Sequence, residues 1–309
     1  MNHILPNNKI STLKEFALQR IGEVYDAREA RNVVNELFRH YLNFSAADLV
    51  VKANDTVSES QMLLIYKAAK RIAQHEPLQY VLGSAYFFGM DLHVNNSVLI
   101  PRPETEELVR WILSTIIPNN HSVSDNHSVS ENHSAIEGHY EPNNHSVLDI
   151  GTGSGAIALA LKKAQPHWNV CGVDVSKEAL QVAQRNSTEL QLEVEWKEVD
   201  ILAGNLPEGI WNCIVSNPPY IPVSEGNEMR TSVVQHEPHL ALFVPENDPL
   251  LFYRRILELA NNCENVKQVF FEIHENYSIE TLTLGESMGW KGELKKDLQG
   301  KDRFICFAK

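Results

Sequence analysis

The sequence predicts an α/β fold on a parallel sheet, preceded by a small all-helical domain, and three patterns carry that reading. From residue 147 onward, apolar runs of strand length alternate with segments of helical period. Residues 147–150 read as strand, 156–164 as helix, 170–175 as strand and 177–190 as helix, the order that builds parallel sheets. A glycine-rich segment, Asp149-Ile150-Gly151-Thr152-Gly153-Ser154-Gly155, falls where the first strand passes into its helix. Residues 10–80, in contrast, carry apolar positions at helical spacing: Leu13, Phe16, Ala17 and Ile21, then Val33, Val34, Leu37, Phe38 and Tyr41.

Within the helical part, Ser11 is expected to cap the first helix, and Ser58 a later one that carries Met62, Leu63, Tyr66 and Ala69. Residues 87–94 read as strand, turn and strand, a hairpin joining the two domains. The expected division is a helical domain at 1–85, a linking hairpin at 86–100 and an α/β domain at 101–309. Between Pro118 and Ser146 a hexapeptide, Asn120-His121-Ser122-Val123-Ser124-Asp125, nearly repeats, placing His121, His127, His133, His139 and His145 on a six-residue period. That period matches neither a helix face nor a zinc finger, so 118–146 is expected to be a flexible solvated insertion, with adventitious metal binding as the alternative. Further strands are expected at 192–199, 213–216 and 269–273, with a helix at 250–260. A hairpin about Gln299-Gly300-Lys301 leads into an antiparallel strand at 303–307.

With 309 residues, 43% of them hydrophobic, the chain is long enough for two cored domains. A formal charge of −13 argues against a large phosphate-binding surface and hence against stable nucleic-acid binding. The four cysteines are far apart and form no C-x-x-C pair, which points away from a zinc knuckle or a disulfide framework. No basic N-terminal region precedes an apolar stretch, and no window approaches a membrane span. A soluble, cytoplasmic protein with no membrane partner is expected.

Two segments carry chemistry. The apolar run Cys213-Ile214-Val215-Ser216 ends in Asn217-Pro218-Pro219-Tyr220. Asn217 offers a carbonyl acceptor, and the proline after it restricts its backbone, so neighbouring carbonyls stand in a stiff extended turn. Two rigid acceptors side by side suit a planar NH2 group, and holding both hydrogens aims a weakly nucleophilic nitrogen at an electrophile. Tyr220 is placed to pack on the flat group. The glycine segment has the spacing G-x-G-x-G, where a dinucleotide fingerprint would be G-x-G-x-x-G, so a NAD-dependent reductase stays open as the poorer fit. Asp174 ends the second strand, where an acid accepts ribose hydroxyls, and Asp200-Ile201 ends the third, where adenine would lie. S-adenosylmethionine fits all three positions. Asp174 as a helix cap, and Asp200 as a plain turn residue, stay open as alternatives.

Together the segments resemble the peptide chain release factor glutamine methyltransferases over nearly the whole chain except the His-Ser repeat. The matching pieces are Glu76-Pro77-Leu78-Gln79-Tyr80, Leu99-Ile100-Pro101-Arg102-Pro103-Glu104-Thr105-Glu106, the Gly151 loop, Asn217 to Tyr220, and Glu237-Pro238 with Ala241-Leu242. The resemblance implies a class I S-adenosylmethionine-dependent methyltransferase fold, Rossmann-like with a mostly parallel seven-stranded sheet, and an N-terminal helical domain that docks a release factor. It implies methyl transfer to the amide nitrogen of a Gly-Gly-Gln glutamine, with S-adenosylhomocysteine as product. Asn217, Pro218 and Tyr220 would be catalytic, and Asn217, Pro218, Pro219 and Tyr220 would contact substrate. The cofactor set is Gly151, Thr152, Gly153, Ser154, Gly155, Asp174, Asp200, Ile201 and Asn217, and no metal or general base is assigned. Arg102, Glu104 and Glu106 would hold the site wall, contact substrate backbone or form an exposed ion-pair network. The family usually has E-I-G where this chain has Glu272-Ile273-His274, and a glycine-rich turn where it has Asp248-Pro249; both departures are expected to lie clear of the chemistry. A ribosomal-protein glutamine methyltransferase and an adenine-N6 nucleic-acid methyltransferase are the alternatives, since N-P-P-Y alone is shared with the latter.

Overall fold

A computed structural model describes residues 7–117 and 145–309. The chain divides into two compact units. The first takes in residues up to Ala85 together with His93–Ile100 and Glu225–His239. It opens with α1 (Ile10–Ile21), α2 (Ala27–Leu42), α3 (Asp48–Val51), α4 (Glu59–Ile72) and α5 (Leu78–Leu82). Leu13, Ala17 and Ile21 of α1, Val34, Leu37 and Phe38 of α2, and Ile65, Ala69 and Ile72 of α4 share one buried cluster. These are one-face positions at helical spacing.

Helix starts in this unit follow local chemistry. Ser58 and Gln61 form a reciprocal capping box on α4, and Asp26 accepts from the N–H groups of Arg28 and Glu29 at the start of α2. Ser11 does not cap α1, contrary to the sequence expectation. The helix begins two residues earlier, at Ile10, with Lys9 as N-cap and no side-chain cap. The N–H groups of Ile10 and Ser11 donate instead to the carbonyls of Asp55 and Ala53, which meets the need a cap would have served. Two distant segments also join this unit: the Tyr80 hydroxyl donates to the Val98 carbonyl at 2.5 Å, and the N–H of Ile100 donates to buried Glu237 at 3.4 Å.

The hairpin of β1 (Ser84–Phe87) and β2 (Met90–His93) turns through Phe88 and Gly89, with φ of 47° and 72°. Two consecutive left-handed residues match the right-handed twist of the flanking strands.

The second unit comprises Tyr86–Leu92, Pro101–Ser224 and Leu240–Lys309. The hexapeptide repeat lies outside the described residues, apart from His145, which packs edge-on against Trp168. In order come α6 (Pro103–Ile116), β3 (Ser146–Ile150), α7 (Ala156–Ala164), β4 (Asn169–Asp174), α8 (Lys177–Leu190), β5 (Glu195–Glu198), β6 (Cys213–Ser216) and β7 (Ile221–Pro222). After α9 (Thr231–His236), which belongs to the first unit, follow β8 (Phe243–Val244), α10 (Leu251–Asn261), β9 (Gln268–Glu272), α11 (Ser278–Ser287), β10 (Lys291–Lys296) and β11 (Asp302–Ala308).

Seven strands form one sheet in the order β10-β11-β9-β6-β3-β4-β5. Neighbours from β9 to β5 pair parallel, and β11 runs antiparallel to both β9 and β10. Alternate residues feed opposite faces: Val147, Val215, Phe270 and Phe304 enter one core with α6 and α7, while Leu148, Ile214, Phe271 and Ile305 enter another with α10. The strand expected over 192–199 is shorter, because Gln191 adopts a left-handed conformation (φ 56°) and the N–H of Leu192 returns to the Ser187 carbonyl, closing α8. Strand β3 lies between β4 and β6, where the direction of winding reverses. In open α/β sheets, that switch point leaves a crevice at the carboxyl ends of the strands. Among the described residues no helix is long and apolar enough to cross a membrane.

Candidate active site

The glycine loop leaves the carboxyl end of β3 with Gly151, Gly153 and Gly155 at φ of 71°, 56° and 80°. A Cβ at Gly151 or Gly153 would meet nothing within 4 Å, so at these two positions the backbone faces open space. A Cβ at Gly155 would stand 2.7 Å from the Trp196 ring and 3.2 Å from Ala183, so this glycine lets α7 pack closely. The N–H groups of Gly151 and Thr152 donate to the Val173 carbonyl, and that of Gly153 donates to Asp174 Oδ2 at 2.9 Å.

Asp174 thus pins the loop to the end of β4. Its other oxygen accepts from the N–H of Ser176, and Ser176 itself caps α8 by accepting from Ala179. Asp174 is therefore not that helix's cap, and each of its oxygens keeps acceptor capacity. Burial raises its carboxyl above the ordinary range, opposed by the backbone donors of Ser176 and Gly153. Inside the loop, the Thr152 hydroxyl turns down to donate to Asp149 Oδ2 at 2.6 Å, and the buried Ser154 carbonyl accepts from Asn186. Asp149 also accepts from the N–H of Ala158, yet its Oδ1 is buried with no hydrogen-bond partner. At the end of the third strand, exposed Asp200 accepts from the N–H of Leu202, a local turn. Ile201 beside it is buried, and Arg255 donates to the carbonyls of Ile201 and Gly204.

Asn217 follows β6 directly. Its Nδ2 donates to Thr105 Oγ1 at 3.4 Å, and the Thr105 hydroxyl donates to Glu272 Oε2 at 2.7 Å. The Tyr220 hydroxyl donates to the other oxygen, Glu272 Oε1, at 3.3 Å. Glu272 is 2% exposed, and burial raises its carboxyl, while Thr105, Arg303 and Tyr220 act against that rise. Burial also raises the Tyr220 phenol, with the Glu272 charge adding to it. Among the described residues the buried side-chain polar atoms without a partner are Asp149 Oδ1 and Trp290 Nε1; Asn217 Oδ1, which receives no hydrogen bond there, is not one of them and so is not fully buried.

Comparison with known proteins decides the family. Residues 15–83 match the PrmC N-terminal domain, and residues 135–237 match the methyltransferase small domain. A release factor glutamine methyltransferase of Flavobacterium psychrophilum is 37% identical over 290 residues, covering 93% of this chain and 95% of the relative. One of Bacteroides thetaiotaomicron is 33% identical over 299 residues, covering 96% and 99%. The chain belongs to the release factor glutamine methyltransferase family. Among solved structures, the hMettl16 catalytic domain superposes with a TM-score of 0.52 at 14% identity, covering 81% of this chain and 82% of that one. This likeness concerns the fold alone, which is the methyltransferase fold expected from the sequence.

The family's cofactor is S-adenosylmethionine, and the crevice fits it. Two glycines open their backbone to free space, and a carboxylate with spare lone pairs stands beside them. One expectation drawn from the family pattern is corrected. Glu272-Ile273-His274 does not lie clear of the N-P-P-Y segment: Glu272 takes the Tyr220 hydroxyl, and the His274 ring stands edge-on to Tyr220 at 5.9 Å. The cause is strand order, since β9 neighbours β6 and both end at the crevice. Asp248, the other departure, forms a two-pronged ion pair with Arg254 on α10. Glu106 accepts from the N–H of Phe88 and pairs with Arg110, and Glu104 accepts from Gln299. Thr105, lying between those glutamates, is the residue that reaches Asn217. The sequence places Thr105 and Glu272 inside quoted segments without giving either a role, although Glu272 carries a signal: an acid closing an apolar strand, the pattern that singles out Asp174.

Proposed function

We propose that this protein transfers a methyl group from S-adenosylmethionine to the side-chain amide nitrogen of the glutamine in the Gly-Gly-Gln tripeptide of a bacterial peptide chain release factor. Family membership supports the reaction class and the acceptor. The observation that carries the reading is the orientation of Asn217, whose NH2 is engaged by Thr105 so that its oxygen is the available end.

A primary amide brings two N–H donors. Asn217 Oδ1 accepts one and the Pro218 carbonyl the other, which fixes the amide plane and so the direction of its nitrogen lone pair. The proline pair keeps these acceptors from relaxing away. Tyr220 supplies a wall for the flat group. Asp174 accepts the ribose hydroxyls, the backbone from Gly151 to Gly155 borders the cofactor's chain, and Asp200 and Ile201 flank the adenine. When bound, S-adenosylmethionine supplies an electrophilic methyl group on a sulfonium and leaves as S-adenosylhomocysteine. The nitrogen's surplus proton passes to water, so no side chain is assigned as general base and no metal is assigned.

One glutamine is too small a surface to select a whole protein, and the N-terminal helical unit is the module that adds binding energy remote from the reacting atoms. The test incubates the purified protein with labelled S-adenosylmethionine and an intact release factor, the same factor with its tripeptide glutamine replaced by alanine, a ribosomal protein, DNA and a Gly-Gly-Gln peptide. Label should enter the intact factor, disappear with the glutamine and enter the peptide only weakly. Label in the ribosomal protein or the DNA instead would overturn the assignment.

A further inference from the structure

Thr105 and Glu272 take no part in the reaction as assigned above, yet they make the contacts that orient its central residue. Thr105 sits in the first turn of α6 and is 4% exposed, and Glu272 closes β9. In the parallel pairing of β6 with β9, Ser216 lies opposite Phe271, so Asn217 and Glu272 leave adjacent strands side by side.

The direction of donation through this trio follows from proton counting. An ionised carboxylate only accepts, and a threonine hydroxyl carries one proton. With that proton directed at Glu272 over 2.7 Å, the Thr105 oxygen is left as an acceptor toward Asn217. It therefore selects the NH2 end of the Asn217 amide, at 3.4 Å, and turns the oxygen to the opposite side. An asparagine amide rotated by half a turn has nearly the same shape with its ends exchanged. In that state it would present N–H donors to the donors of an incoming amide.

We propose that Glu272 and Thr105 form a positioning relay that sets the polarity of Asn217, so that its oxygen rather than its NH2 faces the acceptor amide. The proposal rests on the reading of Asn217 as an acceptor for that amide. The same carboxylate receives the Tyr220 hydroxyl, so one buried acid aligns both polar side chains of the N-P-P-Y segment. Neither relay residue needs to touch substrate, and its loss acts on turnover rather than on the cofactor.

The experiment measures kcat with an intact release factor, and the S-adenosylmethionine Kd by calorimetry, for full-length Thr105→Val, Thr105→Ser, Glu272→Gln and Asn217→Ala. Valine keeps the size of threonine and removes the hydroxyl, while serine keeps the hydroxyl. Thr105→Val should lower kcat by about tenfold or more with Kd within about twofold of the parent, because misorientation acts on the reacting geometry alone. Thr105→Ser should recover most of that loss, and Glu272→Gln should behave like Thr105→Val. The relay is wrong if Thr105→Val turns over normally while Asn217→Ala does not, an outcome that leaves the Asn217 reading standing. It is also wrong if serine fails to rescue, or if kcat and cofactor affinity fall together. Full activity in Asn217→Ala would instead remove the acceptor reading, and the relay with it. Should Glu272→Gln not fold, the two Thr105 variants decide the matter alone.

Discussion

The hydroxyl of Ser216 donates to the carbonyl of Ile150 at 2.7 Å, tying the end of the strand that leads into Asn217 to the end of the strand that opens the glycine loop. Both residues are buried. This bond crosses between β6 and β3 where the two halves of the candidate site meet.

Ser216→Ala should therefore do two things. It leaves the Ile150 carbonyl without this donor in a buried place, which costs about 1–3 kcal/mol of stability, read by urea unfolding. It also loosens the register between loop and motif, so cofactor affinity and turnover should both fall. A variant of parental stability and activity would show that the two strand ends are held by the ladder alone.

Gly172 in β4 offers a sharper test of how the loop is supported. A Cβ there would lie 2.4 Å from the Trp196 ring and 2.8 Å from the Thr152 hydroxyl oxygen. Trp196 has little freedom to yield, since its Nε1 donates to Ser187 on α8. Gly172→Ala should cost on the order of 1–3 kcal/mol by overpacking and, by displacing Thr152, weaken cofactor binding. Calorimetry against S-adenosylmethionine, with a melting curve alongside, checks both. Undiminished affinity would mean that the loop is not held from below.

What was legible in the sequence was what local chemistry sets. Helices α7 and α8 stand at 156–164 and 177–190 as expected, because a glycine turn opens one and Ser176 caps the other. The ends of β3 and β6 are equally plain, each being an apolar run that stops at a distinctive backbone, freed by glycines in one and restricted by prolines in the other. The Thr105–Glu272 contact was not legible, since it joins residues 167 positions apart and depends on which strand lies beside β6. Strands β7 and β8 have two residues each, too few for any period to declare them. Glu237 belongs to one of the matching motifs, but its burial against the N–H of Ile100 comes only from the fold.

Asp174 joins two roles that substitution can separate. It accepts from the N–H of Gly153 and has acceptor capacity left for a ribose. Asp174→Ala should weaken S-adenosylmethionine binding by about 1.5–3 kcal/mol, the value of a hydrogen bond to a charged group. Titration calorimetry measures it directly. Unchanged affinity would confine Asp174 to holding the loop and would remove it from the cofactor assignment.

Asp149 makes stability depend on pH in a direction opposite to that of most paired carboxylates. Burial pushes its carboxyl up to about 7, against the lowering by the Thr152 hydroxyl and the Ala158 N–H, with the Asp174 charge adding to the rise. In the unfolded chain the same group titrates near 4. Between those two values the folded protein holds a proton that the unfolded chain has released, so the unfolded state binds fewer protons and stability falls as pH rises. The Asp149 contribution is fully present below about pH 4 and is lost as pH climbs through about 7, after which it is level. Asp149→Asn places a neutral side chain of the same shape beneath Thr152 and abolishes this titration. Measured without cofactor, the variant and the parent should have similar stability near pH 4. The variant should then become the more stable of the two by up to about 1.4 kcal/mol for each pH unit crossed, until the folded-state pKa is passed. Urea unfolding of both proteins at several pH values reads the difference. Parallel stability curves across that range would mean that Asp149 stays ionised in the folded protein, stabilised by its two donors despite the unpartnered Oδ1.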